Sequence, residues 1–204
     1  GMKLANADGA AGVMLDVDTG ELLAMASLPD FDPNRVSDED ANNTGNRASY
    51  VVGELGSVFK PLTVAAAIDA GVITNLDKKW DATTVHEGGR TCEDYEDKGA
   101  ILTSPEALAY SSNTVTMRVA EGLGGKRLRE VWVELGMDAQ PDLEIQARGK
   151  TRFPSAPWSP LTTKTAAYGH GFNVTPLHLA NAYAAMVNRG VLRPATLLKV
   201  EPGA

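Results

Sequence analysis

The sequence holds one cysteine, Cys92, so it can close no internal disulfide, and no C-x-x-C or Cys/His spacing offers a structural zinc site. Positive charge is also scarce. Nineteen Lys and Arg face 26 Asp and Glu for a net charge of -7, and the basic residues are scattered, which excludes a nucleic-acid surface. No stretch approaches the roughly 18 consecutive apolar residues of a membrane helix, and no basic-then-apolar leader opens the chain, so the sequence as written carries neither anchor nor signal. The three histidines, His86, His170 and His178, lack the paired carboxylate spacing of a metal site. There are no internal repeats, no low-complexity tracts and no compositional shift that marks a linker. What is present, 204 residues with 43% apolar and 22% charged content, suffices to bury a core. The opening Gly1-Met2 reads as a tag remnant ahead of a start codon, so residues 1–9 are expected to be disordered or tag-derived.

Two short apolar runs around Asp18-Thr19-Gly20 predict a hairpin with strands at 11–17 and 21–27. The Pro, Gly and Asp/Asn-rich stretch from Leu28 to Asn46 reads as surface connection. From Ser57 to Ala70 strong helix formers follow an early proline and stop at Gly71, which predicts a helix. Residues 74–102 show no periodicity and are expected to be irregular, their Asp94, Glu96 and Asp97 forming a solvated acidic face. Thr103-Ser-Pro-Glu106 fits a capping box, and helices are expected over 113–123 and 125–135, each followed by a glycine. Residues 140–159 read as another Pro/Gly loop. A last helix runs from Pro176, with Thr175 as its cap, to Asn188. Trp80, Trp132 and Trp158 are expected as core or loop anchors, and His178 as a packing or surface residue.

Ser57 and Lys60 stand one helical turn apart, so both side chains share a face and the serine hydroxyl is expected within hydrogen-bonding reach of the lysine. A serine becomes a nucleophile when a base takes its proton, and a lysine amine does so once burial lowers its pKa. The helix start also presents free N–H groups to a developing oxyanion. By itself the pair is more often an N-cap and a solvated first-turn lysine. A second element, Ser111-Ser112-Asn113 between two predicted helices, places a hydroxyl and a carboxamide two residues apart, where Ser111 can relay a proton and Asn113 can hold an amide. Its plain alternative is a helix cap.

Ser57-x-x-Lys60 followed by Ser111-x-Asn113 resembles the first two motifs of penicillin-binding proteins and class A β-lactamases. Longer segments resemble the same family in the same order: Val17–Asn34 (VDTGELLAMASLPDFDPN), Asn46-Arg-Ala48, Gly56–Ala67 (GSVFKPLTVAAA) and Tyr168–Gly190 (YGHGFNVTPLHLANAYAAMVNRG). The resemblance covers residues 10–200 and is to the transpeptidase domain of a class B penicillin-binding protein, of the cell-division type more than the bifunctional glycosyltransferase type.

The resemblance implies an α/β, β-lactamase/transpeptidase-like fold, a sheet flanked by helices, in one partial domain over 1–204. It implies that Ser57 is the acylated nucleophile, Lys60 its general base, Ser111 the proton shuttle and Asn113 a positioner of substrate and lysine. It implies an oxyanion hole built partly from the Ser57 N–H. The family's third motif, K-T-G, is missing. Lys164-Thr165-Ala166 lies before the Thr175-Pro176 helix instead of after it, so Lys164 is read as a decoy on an exposed loop or helix. The chain is therefore expected to be truncated before that motif, lacking the C-terminal strands of the sheet. Val51–Gly56 also departs from the family's Glu-Pro-Gly approach to the serine.

The implied activity is a peptidoglycan D,D-transpeptidase, impaired in this chain, acting on D-Ala-D-Ala stem peptides and trapped by β-lactams, with no cofactor and no metal. The implied location in the parent is the outer face of the bacterial inner membrane, with division-complex proteins as partners, no nucleic acid, and self-association through an exposed sheet edge. The rivals are a serine β-lactamase, for which Glu144 lies in the right general region though its neighbours do not resemble the β-lactamase loop, and a non-catalytic binding or scaffold module.

Overall fold

Asp16 turns the chain back on itself: its carboxylate accepts from the amides of Asp18 and Thr19 at 3.0 and 2.9 Å and from the Thr19 hydroxyl at 3.0 Å. Gly20 then takes a left-handed φ of 80°, which suits a residue without Cβ. In the computed structural model, which describes residues 2–38 and 44–201, this turn joins β1 (Ala10–Leu15) to β2 (Leu22–Leu28) as an antiparallel pair. The strands stop short of Asp16 and Val17 because the aspartate side chain competes with the ladder for backbone donors. Residues Met2–Ala5 form one helical turn, α1.

The described residues divide into two compact units. The first combines Gly1–Gly53, Leu135–Arg152 and Val174–Ala204. There Val13, Leu15, Leu22 and Met25 on one face of the hairpin pack on Leu143, Ile145, Leu177 and Ala195. Leu177 belongs to α7 (Pro176–Val187), which opens on a capping box between Thr175 and His178. His178 is buried. Its Nδ1 accepts from the Thr175 amide at 3.1 Å and its Nε2 lies 2.8 Å from the Ala139 carbonyl, so the ring is held as the Nε2–H tautomer.

The second unit comprises Glu54–Glu134 and Phe153–Asn173. A 3-10 turn (Gly56–Phe59) leads into α2 (Lys60–Asp69), so the helix predicted from Ser57 begins as a tighter turn. The stretch expected to be irregular holds four short strands: β3 (Lys79–Asp81), β4 (Val85–Glu87), β5 (Arg90–Cys92) and β6 (Ile101–Thr103). β3 pairs with β6 and β4 with β5, both antiparallel. Buried Trp80 anchors the first pair, donating from its indole to the Ser104 hydroxyl at 3.0 Å. Four helices follow: α3 (Ser104–Ala109), α4 (Asn113–Leu123), α5 (Gly125–Glu134) and α6 (Pro160–Ala166). The predicted capping box of α3 is present, with Thr103 and Glu106 exchanging bonds.

Two clusters fill this unit. Val64, Ala67, Ile73, Trp80, Leu102, Ala107, Val115 and Val119 form one. Phe59 forms the other, meeting Trp132 and Phe172 edge-on at 5.5 and 4.9 Å, geometries that add to the apolar burial. Phe59 lies between Ser57 and Lys60, so this packing sets the direction from which both leave the turn.

Candidate active site

The approach to Ser57 is fixed by a second turn, residues 168–171. Gly56 has φ 68° and donates to the Gly169 carbonyl at 3.2 Å; Gly169 has φ 79°, and a Cβ there would lie 2.2 Å from the Gly56 oxygen. Glu54 adds a staple: its carboxylate accepts from the Gly171 amide at 2.8 Å and lies 3.2 Å from His170 Nδ1. Leu55, where the family has proline, sits at φ -87°, and these contacts hold the loop in place of the ring. Ser57 emerges exposed, and among the described residues its hydroxyl makes no hydrogen bond.

Lys60, one turn on, is only 2% exposed. Its amine donates to the hydroxyl of Ser111 at 2.9 Å and also to the Ser111 carbonyl. The lysine therefore reaches Ser111, and not the Ser57 hydroxyl that one-turn spacing suggested, because the Ser111 carbonyl and hydroxyl supply two acceptors to a buried cation. Burial pulls its pKa from 10.5 down to about 8, against the opposing pull of Asp94 and Cys92. At pH 7 about one amine in ten is then neutral and able to take a proton.

Ser111 is presented by the end of α3. Its amide donates to Leu108 and that of Ser112 to Ala107, the paired bonds of a Schellman motif, and Ser111 occupies the left-handed position at φ 57° where glycine is usual. A non-glycine residue there is strained, and here it is the residue whose side chain and carbonyl both meet Lys60. Asn113 begins α4, half-buried, and among the described residues its carboxamide makes no hydrogen bond to Lys60 or to any other group.

Asp94, read from sequence as part of a solvated face, belongs to this site. Its carboxylate accepts from the Ser112 hydroxyl at 2.5 Å and from the amides of Asn113 and Thr114 at 2.7 and 2.9 Å. Cys92 and Tyr168 interact close by; burial pushes the thiol up and the phenol up to about 12, so both stay neutral near pH 7.

A family model described as the penicillin-binding protein transpeptidase domain matches residues 10–202. The chain belongs to the penicillin-binding protein transpeptidase family. The chain is 39% identical over 196 residues to a probable peptidoglycan D,D-transpeptidase FtsI of Caulobacter vibrioides and 30% identical over 197 residues to the peptidoglycan D,D-transpeptidase FtsI of Escherichia coli K12. Each alignment takes in 96% of this chain and 33% of the relative, so the chain spans about a third of the length of these relatives. Among solved structures it superposes with a TM-score of 0.86 on the apo transpeptidase domain of Burkholderia pseudomallei penicillin-binding protein 3, at 25% identity, covering all of this chain and 57% of that one. A Burkholderia ambifaria peptidoglycan glycosyltransferase superposes at 0.87 with 24% identity, covering 60% of its chain, and has the same fold. The α/β transpeptidase-like fold expected from the sequence is thus the observed one.

Glu144 and Lys164 both lie outside the site. Glu144 is engaged structurally, accepting from the Thr196 hydroxyl and the Leu197 amide at its own end of the first unit, and nothing in the relatives supports a β-lactamase. Lys164 is not exposed as expected. It is buried on α6 and paired with Glu87 at 2.7 Å and Glu121 at 3.5 Å, because α6 packs it between the β4–β5 hairpin and α4. No helix of the described residues is long and apolar enough to cross a membrane.

Proposed function

We propose that this chain carries the acylating half of a peptidoglycan D,D-transpeptidase site. The observation that carries the reading is the buried Lys60 amine, held by Ser111 and drawn down towards neutrality, one turn after an exposed serine with a free hydroxyl. The neutral amine takes the Ser57 proton as the hydroxyl attacks the carbonyl of a D-Ala-D-Ala stem peptide. The Ser57 amide, at the unpartnered start of its turn, is one donor to the oxyanion. Ser111 relays the proton to the departing D-alanine, and the Asn113 carboxamide holds the substrate amide. An amine of a second stem peptide then resolves the acyl-enzyme into a crosslink. β-Lactams react with the same serine and stop at the acyl-enzyme.

Cross-linked peptidoglycan lies outside the cytoplasmic membrane, so the parent works on the outer face of the bacterial inner membrane. Division-complex proteins are its partners, in keeping with the cell-division subtype that the sequence resembles. A second copy of the chain is a further partner through the sheet of the first unit.

The test is fluorescent penicillin on the complete gene product that contains this chain. The expected result is a persistent covalent label that maps to Ser57 and vanishes in Ser57→Ala. No label, a label elsewhere, or a label that turns over rapidly would each reject the reading.

A further inference from the structure

Asp94 is separated from the Ser111–Asn113 turn by about 18 residues, yet it makes the bonds that shape that turn. One carboxylate oxygen takes the amides of Asn113 and Thr114, the first two of α4. The other takes the Ser112 hydroxyl, and the Thr114 hydroxyl lies 3.1 Å away, sharing its proton with the Ala82 carbonyl. Ser112 in turn accepts from the Val115 amide, completing the cap. α4 has no acidic residue in its own first turn, so Asp94 supplies from a distance the anion that a helix start favours. This clamp begins at the residue after Ser111. Ser111, strained at φ 57°, is thereby pinned on both sides: by the end of α3 before it and by Asp94 after it.

The same carboxylate is the negative charge that acts on Lys60. The groups that act on that amine are Asp94 from the arm after β5, Cys92 at the end of β5, and Ser111, which bonds it from the α3–α4 junction. The thiol and phenol are neutral near pH 7, which leaves Asp94 as the counter-charge.

We propose that Asp94 is the positioning residue of the acylation site, holding Ser111 against Lys60 and supplying the charge against which the lysine gives up and regains its proton. The proposal rests on the transpeptidase reading of Ser57 and Lys60. It assigns to Asp94 a role that acts through other groups, since the carboxylate is occupied by α4 and does not reach the reacting serine.

The test is a side-chain NMR titration of Lys60 in the lysine-labelled chain, with Asp94→Asn and Asp94→Glu, alongside penicillin acylation of the complete gene product. Asparagine keeps the shape and an acceptor for the two amides but loses the charge. Its Lys60 midpoint is expected about 0.5–1 pH unit below that of the wild type, and the acid limb of the acylation profile should move down with it. Glutamate keeps the charge on a longer stem that misplaces the amide bonds. Its midpoint is expected within about 0.3 pH unit of the wild type while acylation falls by roughly 10-fold or more. An unmoved Lys60 midpoint in Asp94→Asn, or an equal drop in both variants, would overturn the role. Failure of the transpeptidase reading shows elsewhere, as a wild-type protein that penicillin does not label, and the Lys60 titration still reads the Asp94 coupling in that case.

Discussion

A lysine that is 2% exposed, its pKa drawn down by burial to about 8, sets stability against reactivity at one residue. The unfolded chain holds the Lys60 proton up to about 10.5 and the folded chain only up to about 8, so the unfolded state binds more protons between those values. Lys60 therefore destabilises the fold in full below about pH 8, and the penalty is relieved as pH rises towards 10.5. Lys60→Met is expected to stabilise the protein at pH 7 by on the order of 2–3 kcal/mol, an advantage that shrinks as the pH climbs above 8. Urea melts of both proteins at pH 7 and pH 10 check this, and a variant no more stable than wild type at pH 7 would contradict it. Ser111 makes the same trade through its backbone. Ser111→Gly relieves the left-handed strain and is expected to add about 0.5–1 kcal/mol in thermal melts while slowing acylation by about 100-fold through loss of the relay hydroxyl.

Among the elements, those with local signals were legible and those made by distant contacts were not. Thr103 and Thr175 announce α3 and α7 because capping is a matter of three or four consecutive residues. Ser57, Lys60, Ser111 and Asn113 could be singled out from spacing and resemblance, but the Lys60–Ser111 pairing joins positions 51 apart in the chain. The strands between 79 and 103 escaped notice because three residues are too few for a period-two pattern. One signal was available: Gly88 and Gly89 both take positive φ, the demand of a tight hairpin that a Gly-Gly pair meets. Asp94 and Lys164 were read as solvated because charge is usually solvated, and each turned out to bind the far side of its own unit. For Lys164 this gives a prediction at the scale of the α6 packing. Lys164→Met leaves Glu87 and Glu121 without their cation and is expected to cost about 1–3 kcal/mol in melts, with penicillin acylation per folded molecule nearly unchanged. Loss of acylation beyond the loss of fold would place Lys164 in the site after all.

At the scale of the whole molecule, the hairpin of the first unit is covered on one face only. Val13, Leu15, Leu22 and Met25 meet the core, while on the other face Met14 and Leu23 are 59% and 57% exposed and Leu28 is also exposed. Among the described residues the sheet has two strands. The start of β2 is bridged by Thr196, which exchanges backbone bonds with Gly20 and Leu22, but among the described residues β1 pairs with no strand other than β2. A two-stranded sheet is marginal without packing, and an unpaired edge beside an apolar face is a template for another chain. A second copy can supply both things this hairpin lacks, a neighbouring strand and apolar cover. The chain is therefore expected to dimerise reversibly as its concentration rises in sedimentation velocity runs, and Met14→Lys with Leu23→Lys, which place charge on the open face, should hold it monomeric without loss of helical signal. A wild-type chain that stays monomeric up to the highest soluble concentration, or a double variant that associates equally well, would show that this face is not where the molecule meets its copy.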